Sequence, residues 1–174
     1  MTRVLLAVAH GSRDPAAQEC VLSLTGRVAR SAGGIAVRTA FVQNAKPSLA
    51  EGLDEAATHA GPDGVVVVPL LLSSGYHLSS DIAGAARAAG VPVARPRGPD
   101  PRLVRALSDR LRGSTGTWIS GPIGDHPAVA ELIQDRFRDR DDTATAARSL
   151  RLAAARRSMA NWTGGAHGDR RKSA

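Results

Sequence analysis

Short apolar runs rich in β-branched residues alternate with longer mixed stretches through the first two thirds of the chain. This rhythm predicts strands near residues 3–9, 35–42, 64–70 and 91–95, with helices near 14–31, 47–60, 80–89 and 101–112. Asp14-Pro15, Lys46-Pro47-Ser48 and Asp100-Pro101 supply helix-start chemistry, and Gly33-Gly34, Gly61 and Gly90 supply the stops. Strands alternating with helices in this way predict an α/β protein with an open parallel sheet flanked by helices. Val65-Val66-Val67-Val68 shows no polar alternation, the pattern of a strand covered on both faces, and is expected in the middle of the sheet.

The pattern weakens beyond residue 112. Pro96, Gly98, Pro101, Asp109 and Arg110 reappear 26 positions later as Pro122, Gly124, Pro127, Asp135 and Arg136, which reads as a second strand, turn and Pro-opened helix rather than a duplication. The expected division is an α/β module over 1–112, a strand-turn-helix extension over 113–140, and a basic Ala/Arg-rich tail over 141–174 that is partly helical and partly disordered.

With 174 residues, 43% of them hydrophobic, the chain can bury one substantial core. Its longest apolar runs are too short for a membrane span or a signal-peptide core, so a soluble, cytoplasmic protein without a membrane partner is expected. Cys20 is the single cysteine, which removes disulfides and thiolate clusters and leaves it as an inert packing residue. The net charge of +7 suggests nucleic acid until its distribution is considered. Arg148, Arg151, Arg156, Arg157, Arg170, Arg171 and Lys172 face only Asp169 within 144–174, so the body is nearly neutral. Aromatic residues make up 3% of the chain, leaving few stacking platforms, and nucleic-acid binding is not expected.

Ligands in open parallel sheets bind beyond the carboxyl ends of the strands. The first strand runs into His10-Gly11-Ser12-Arg13, the second into Gln43-Asn44 and Lys46-Pro47, and the third through Leu70 into Gly75-Tyr76-His77, with Ser79, Ser80 and Asp81 as helix-start residues. Two imidazoles delivered by neighbouring strand ends can share a transition metal. Spacing alone leaves open the alternative that His10 bonds a loop carbonyl and His77 caps a helix. Arg13 and Lys46 stand at the same rim. His59, His126 and His167 read as solvated. Ala9, not arginine, precedes His10, which argues against a phosphohistidine nucleophile, and Walker, GxGxxG and GxSxG motifs are absent from the sequence.

Ala9-His10-Gly11-Ser12-Arg13, Ala40-Phe41-Val42 through Pro47-Ser48, Val67-Val68-Pro69-Leu70 through Gly75-Tyr76-His77 and Asp81-Ile82, and Gly98 through Pro101 together resemble the sirohydrochlorin chelatases of the CbiX type, class II cobalto- and ferrochelatases. The resemblance covers residues 1–112 in unbroken order. It implies a chelatase-like, flavodoxin-like half-module with a helical C-terminal extension, and an enzyme that inserts a divalent metal into a carboxylated tetrapyrrole. By the same resemblance His10 is a metal ligand and proton acceptor, His77 is the second ligand, and Lys46 with Leu72, Ser73, Ser74, Gly75, Tyr76 and His77 contacts the tetrapyrrole. No organic cofactor is implied; Co2+, Fe2+ or Ni2+ is a co-substrate. Arg13, Arg95 and Arg97 are further candidate anchors for carboxylates, without a motif match.

The chain departs from the family pattern twice. Gln43 stands where an acidic residue is common, and no second HGS-like strand end follows residue 112, whereas longer members carry two copies of the module. Short members pair two chains, and a homodimer is therefore expected; the alternative is that the C-terminal part is a decayed second half. The rival readings are a non-catalytic metal or tetrapyrrole carrier that lost the acid at Gln43, and an interaction protein acting through its basic tail.

Overall fold

The computed structural model describes residues 2–72, 77–98, 100–112 and 126–142, with the side chains of 77–79 and 110–112 outside the description. The described elements run β1 (Val4–Ala9), α1 (Pro15–Ser31), β2 (Ala36–Phe41), α2 (Leu49–Ala60), a 3-10 turn (Pro62–Gly64), β3 (Val65–Pro69), a π-helical segment (His77–Ile82), α3 (Ala83–Ala88), α4 (Pro101–Arg112) and a helix over 127–142, here α5.

The strands form a parallel sheet in the order β2-β1-β3. Alternation along β1 sends Leu5, Ala7 and Ala9 to one core, with Val66 and Val68 of β3 beside them. Val4, Leu6 and Val8 join Val65 and Val67 in the other. Residues of α1, α4 and α5 cover the first face, and residues of α2 and α3 cover the second. Every residue of β1 and β3 is buried, which is why neither strand shows polar alternation.

The expected position of Val65–Val68 is corrected by this order: β1, not β3, is central among the three strands. The segment expected as a strand over 91–95 contracts to a single bridge, Val67 to Val93. Val67 N–H donates to the Pro92 carbonyl at 2.9 Å, and Ala94 N–H to the Val67 carbonyl at 2.8 Å. Pro92 and Pro96 have no N–H to extend the ladder, so it stops there. Flanked by β1 on one side and this bridge on the other, β3 still has partners on both edges.

Helix starts follow their local chemistry. Asp14 caps α1 by accepting from Ala16 N–H at 3.0 Å, with Pro15 at the first helical position. Ser48 and Glu51 form a reciprocal capping box on α2. The third helix departs from expectation. A π-helical segment runs over His77–Ile82, so Ser80 and Asp81 lie inside helical structure instead of preceding it. A π turn accommodates the additional residue by closing its hydrogen bonds one position later than an α turn.

A compact unit extends over Met1–Arg140 and a second over Asp141–Ala174. The first includes residues 127–140 of α5, whose Val129, Leu132, Ile133 and Phe137 lie in the same buried cluster as Leu5 of β1 and Leu24 of α1. The strand expected near 121 and the tail from 143 onward lie outside the described residues.

Glu51 is the exposed anchor of the α2 capping box, and hydrogen bonds from the Lys46 ammonium first, then from Ser48, lower its pKa from 4.5 to about 2. A depressed carboxylate contributes stability that is complete above its unfolded value and disappears as pH falls through the folded value. The contribution of Glu51 is therefore expected to fade between about pH 4.5 and about pH 2, and Glu51→Gln should flatten that part of the stability profile. At neutral pH, Ser48→Ala should lower the unfolding free energy by about 1 kcal/mol, measured by urea denaturation.

Candidate active site

The sheet ladder continues past the ends of its strands, and this continuation builds the site. Val42 N–H donates to the Ala9 carbonyl at 2.9 Å and Gln43 N–H to the His10 carbonyl at 3.0 Å. On the other side, Leu70 N–H donates to the Val8 carbonyl at 2.7 Å, and Arg97 N–H to the Leu71 carbonyl at 3.0 Å. His10, Gln43, Leu70–Leu72 and Arg97 thus emerge along the carboxyl edge of one sheet, the position at which such folds bind ligands.

Gly11 makes the turn after β1 possible. Its φ is +93°, and a Cβ built on it would lie 1.7 Å from the Gln43 carbonyl oxygen. Only glycine lets the two loops approach so closely. Beyond it, the Ser12 hydroxyl accepts from Asp14 N–H at 3.0 Å and its carbonyl accepts from the Gln18 amide at 2.8 Å, tying the loop to the first turn of α1.

The loops bring together a pair singled out in the sequence for different reasons. The Gln43 side-chain amide nitrogen lies 2.8 Å from His10 Nε2. In this arrangement the amide donates into the imidazole lone pair, which places the ring proton on Nδ1; turning the amide over exchanges the roles. Either way, Gln43 meets the nitrogen that projects from the strand end.

Below them lies a cavity of about 450 Å³. His10, Gly11 and Ser12 form one rim, Leu70–Leu72 and Arg97 form the opposite side, and α1 and Phe41 close the rest. No Asp or Glu is among its described lining residues. Arg97 is the cation of the cavity: its Nη2 donates to the Leu70 carbonyl at 2.8 Å, while its Nε is buried without a hydrogen-bond partner among the described residues. Burial pushes this guanidinium below the usual arginine value, partly offset by Cys20, although an arginine remains protonated. Gly98 holds the segment in place, since a Cβ there would fall 2.1 Å from the Leu72 carbonyl oxygen.

Other candidates take different positions. Lys46 is exposed, forms an ion pair with Glu51 at 2.7 Å and is not among the cavity-lining residues. Arg13 is exposed, and Arg95 pairs with Asp139 at 3.6 Å. Leu72 lines the cavity and is also exposed to solvent. Ser73, Ser74, Gly75 and Tyr76 lie outside the described residues, as does the side chain of His77. His59 is exposed as expected, but His126 is not solvated: its side chain is 16% exposed and its Nε2 lies 3.1 Å from Asp109. Its partner is on α4, a tertiary contact that local sequence does not announce.

Cys20 and Gln18 belong to the cavity wall and were not expected there. The signal was the spacing on α1: Ala17, Cys20, Val21 and Leu24 recur at helical intervals on its inward face. Among the described residues, no group of three or more His, Cys, Asp or Glu side chains has the arrangement of a metal cage. None of the described helices is long and apolar enough to cross a membrane.

The family model described as CbiX matches residues 4–140. The chain belongs to the CbiX family. This CbiX chain is 35% identical over 78 residues to a sirohydrochlorin cobaltochelatase of Methanosarcina barkeri, a match covering 45% of the chain and 59% of that relative. Against the sirohydrochlorin cobaltochelatase of Methanococcoides burtonii, identity is 31% over 132 residues, covering 76% of the chain and 92% of the relative. The matched stretch thus spans less than two thirds of the first relative and nearly all of the second. Among solved structures, the fold is similar to that of the sirohydrochlorin chelatase SirB from Bacillus subtilis subspecies spizizenii in complex with cobalt, with a TM-score of 0.70 and 18% identity over 82% of this chain and 96% of that one.

The Gly11 contact gives a test of how the CbiX site is held. Gly11→Ala should lower the unfolding free energy by about 2–4 kcal/mol, combining backbone strain with steric overlap. Gly33→Ala, also at positive φ but with nothing within 4 Å of the added Cβ, should cost about 1 kcal/mol. Equal losses in urea unfolding would show that the Gly11–Gln43 approach carries no special constraint.

Proposed function

We propose that this chain is a sirohydrochlorin chelatase that inserts a divalent metal into the tetrapyrrole. The observation that carries this reading is the placement of His10, at a strand end and paired with Gln43, on the rim of an apolar cavity in a chain of the CbiX family. Metal insertion requires a metal with open coordination positions, a group that accepts the two pyrrole N–H protons, and a surface that holds the macrocycle while its nitrogens reach the ion. Imidazole suits the first two tasks, since a neutral ring nitrogen can ligate a borderline metal or take up a proton. His10 is assigned both, with His77 as the second ligand. Lys46 and the 72–77 loop are assigned to the tetrapyrrole.

Cobalt is the metal favoured by the names of the curated relatives, with Fe2+ and Ni2+ as the other co-substrates of this reading. The chain carries one HGS-like strand end, which favours a homodimer over an internally doubled enzyme, and a cytoplasmic location matches a soluble substrate pair. A second reading, the non-catalytic carrier, draws support from Gln43. Its neutral amide occupies the neighbourhood of His10 Nε2 and adds no negative charge to attract a dication.

Absorbance spectroscopy of sirohydrochlorin with each metal tests the assignment. His10→Ala and His77→Ala should each reduce insertion at least a hundredfold while leaving the circular dichroism spectrum unchanged. Near-full turnover in either variant would remove that histidine from the site.

Gln43→Glu addresses the remaining choice. A carboxylate has no proton to place in the imidazole lone pair, and its charge would stabilise an approaching dication and help carry protons away. The substitution should raise the insertion rate by about tenfold, equivalent to about 1.4 kcal/mol of barrier, and tighten metal binding. An active parent unaffected by the change would show that His10 suffices. Parent and variant that both bind tetrapyrrole without metallating it would favour the carrier.

A further inference from the structure

We propose that Arg97 is the anchor for a peripheral carboxylate of the tetrapyrrole and thereby fixes the macrocycle over His10; this rests on the reading of the chain as a sirohydrochlorin chelatase. A buried cation is ordinarily paired with an anion or fully hydrogen-bonded, because its desolvation is otherwise unfavourable. Arg97 is only half-buried, but its Nε is buried and its guanidinium has no carboxylate partner among the described residues. Its Nη2 bonds a neutral carbonyl, Leu70, and its Nε has no hydrogen-bond partner among the described residues. The residue lines the cavity, and no carboxylate side chain is among the described lining residues to neutralise it. The charge is compensated when a ligand brings an anionic group into the cavity.

The rest of the lining narrows the class of ligand. Phe41, Val21, Leu24 and Leu70 present an apolar wall to an apolar body. A ligand with a flat hydrophobic ring system and carboxylates at its edge satisfies both requirements, whereas a small inorganic anion leaves the apolar wall uncovered. Topology sets the scale. His10 follows β1, the neighbouring strand is β3, and Arg97 hydrogen-bonds the chain just beyond β3 at Leu71. Two interstrand spacings separate the positions, about 10 Å. That is a backbone spacing; the Arg97 guanidinium folds back to the Leu70 carbonyl at the end of β3, next to the strand that leads to His10, so a macrocycle lying across the two strand ends can reach both.

The chain that carries Arg97 is held from two directions. Arg97 N–H donates to Leu71, and Gly98 packs against Leu72 so closely that a side chain would overlap it. On the far side, Arg136 of α5 donates to the Pro96 carbonyl at 3.2 Å and pairs with Asp100 at 3.2 Å. Residues 96–98 and Asp100 are therefore clamped between the sheet end and α5.

The experiment compares metal-free binding of sirohydrochlorin and of its methyl ester, both in the same mild detergent, to the parent, Arg97→Met and Arg97→Lys by absorbance titration. Arg97→Met should weaken binding of the free acid at least tenfold and leave the ester within twofold of the parent, and Arg97→Lys should recover most of the difference. With limiting tetrapyrrole, metal insertion by Arg97→Met should fall in step with the lost affinity, so that KM for the free acid rises at least tenfold. Unchanged affinity of Arg97→Met for the free acid overturns the assignment and leaves the chelatase reading intact. Equal losses for acid and ester overturn it as well, since they would show a merely structural role for the Leu70 bond. A parent that neither binds nor metallates sirohydrochlorin overturns the chelatase reading, and this inference with it.

Discussion

Backbone hydrogen bonding along both edges of β1 is the constraint from which the rest of the structure follows. A parallel strand paired on each side has its polar groups satisfied and exposes only side chains, alternately to two faces. Because all six residues from Val4 to Ala9 are apolar and buried, helices must cover both faces. The same ladder runs beyond the strand through Ala9 and His10 to Val42 and Gln43. Loops that could otherwise wander are consequently in register with the sheet, and the imidazole of His10 has a fixed origin.

The two faces carry unequal roles. Against one, α2 and α3 supply a short apolar cover in which small residues such as Ala56 and Ala86 pack beside Leu49 and Leu53. Against the other, α1 covers the sheet near its N-terminal edge yet leaves space beneath the strand ends, and α4 with α5 completes that side. An ionic cluster joins the last two: Arg102 bridges Asp100 and Asp135, while Arg136 reaches Asp100 from α5. Hydrogen bonding from Arg102, aided by the charge of Arg136, holds the Asp100 carboxyl below the usual carboxylate range. The cluster acts where a hydrophobic contact would lack direction, aligning α4 and α5 with the segment that carries Arg97.

Most of the fold was legible because its punctuation is local. Asp14-Pro15, Ser48 with Glu51, and glycines at 33, 34, 61 and 90 act through neighbours within a few residues, and the structure places them as expected. The segment 91–95 was legible as apolar but not as a bridge, because the missing N–H groups of Pro92 and Pro96 matter only once a partner strand is specified. The same limit applies to the site. His10 could be placed at a strand end from its sequence, whereas its contact with Gln43 joins residues 33 positions apart. Cys20 looked like an inert packing residue because nothing local reveals that this part of α1 borders a cavity. His126 looked solvated because Asp109, its partner, lies 17 positions away.

The bond from Arg136 to the Pro96 carbonyl crosses 40 positions of sequence. Synthesis proceeds from the N-terminus, so the three strands and α1 are available to collapse while α5 is still within the ribosome. At that stage the wall that ends in Arg97 has no outer support, and the apolar cluster on that face lacks Leu132, Ile133 and Phe137. The cavity therefore depends on a helix that supplies none of its described lining residues. A nascent chain cannot complete the wall of this cavity before nearly the whole of the compact unit has emerged.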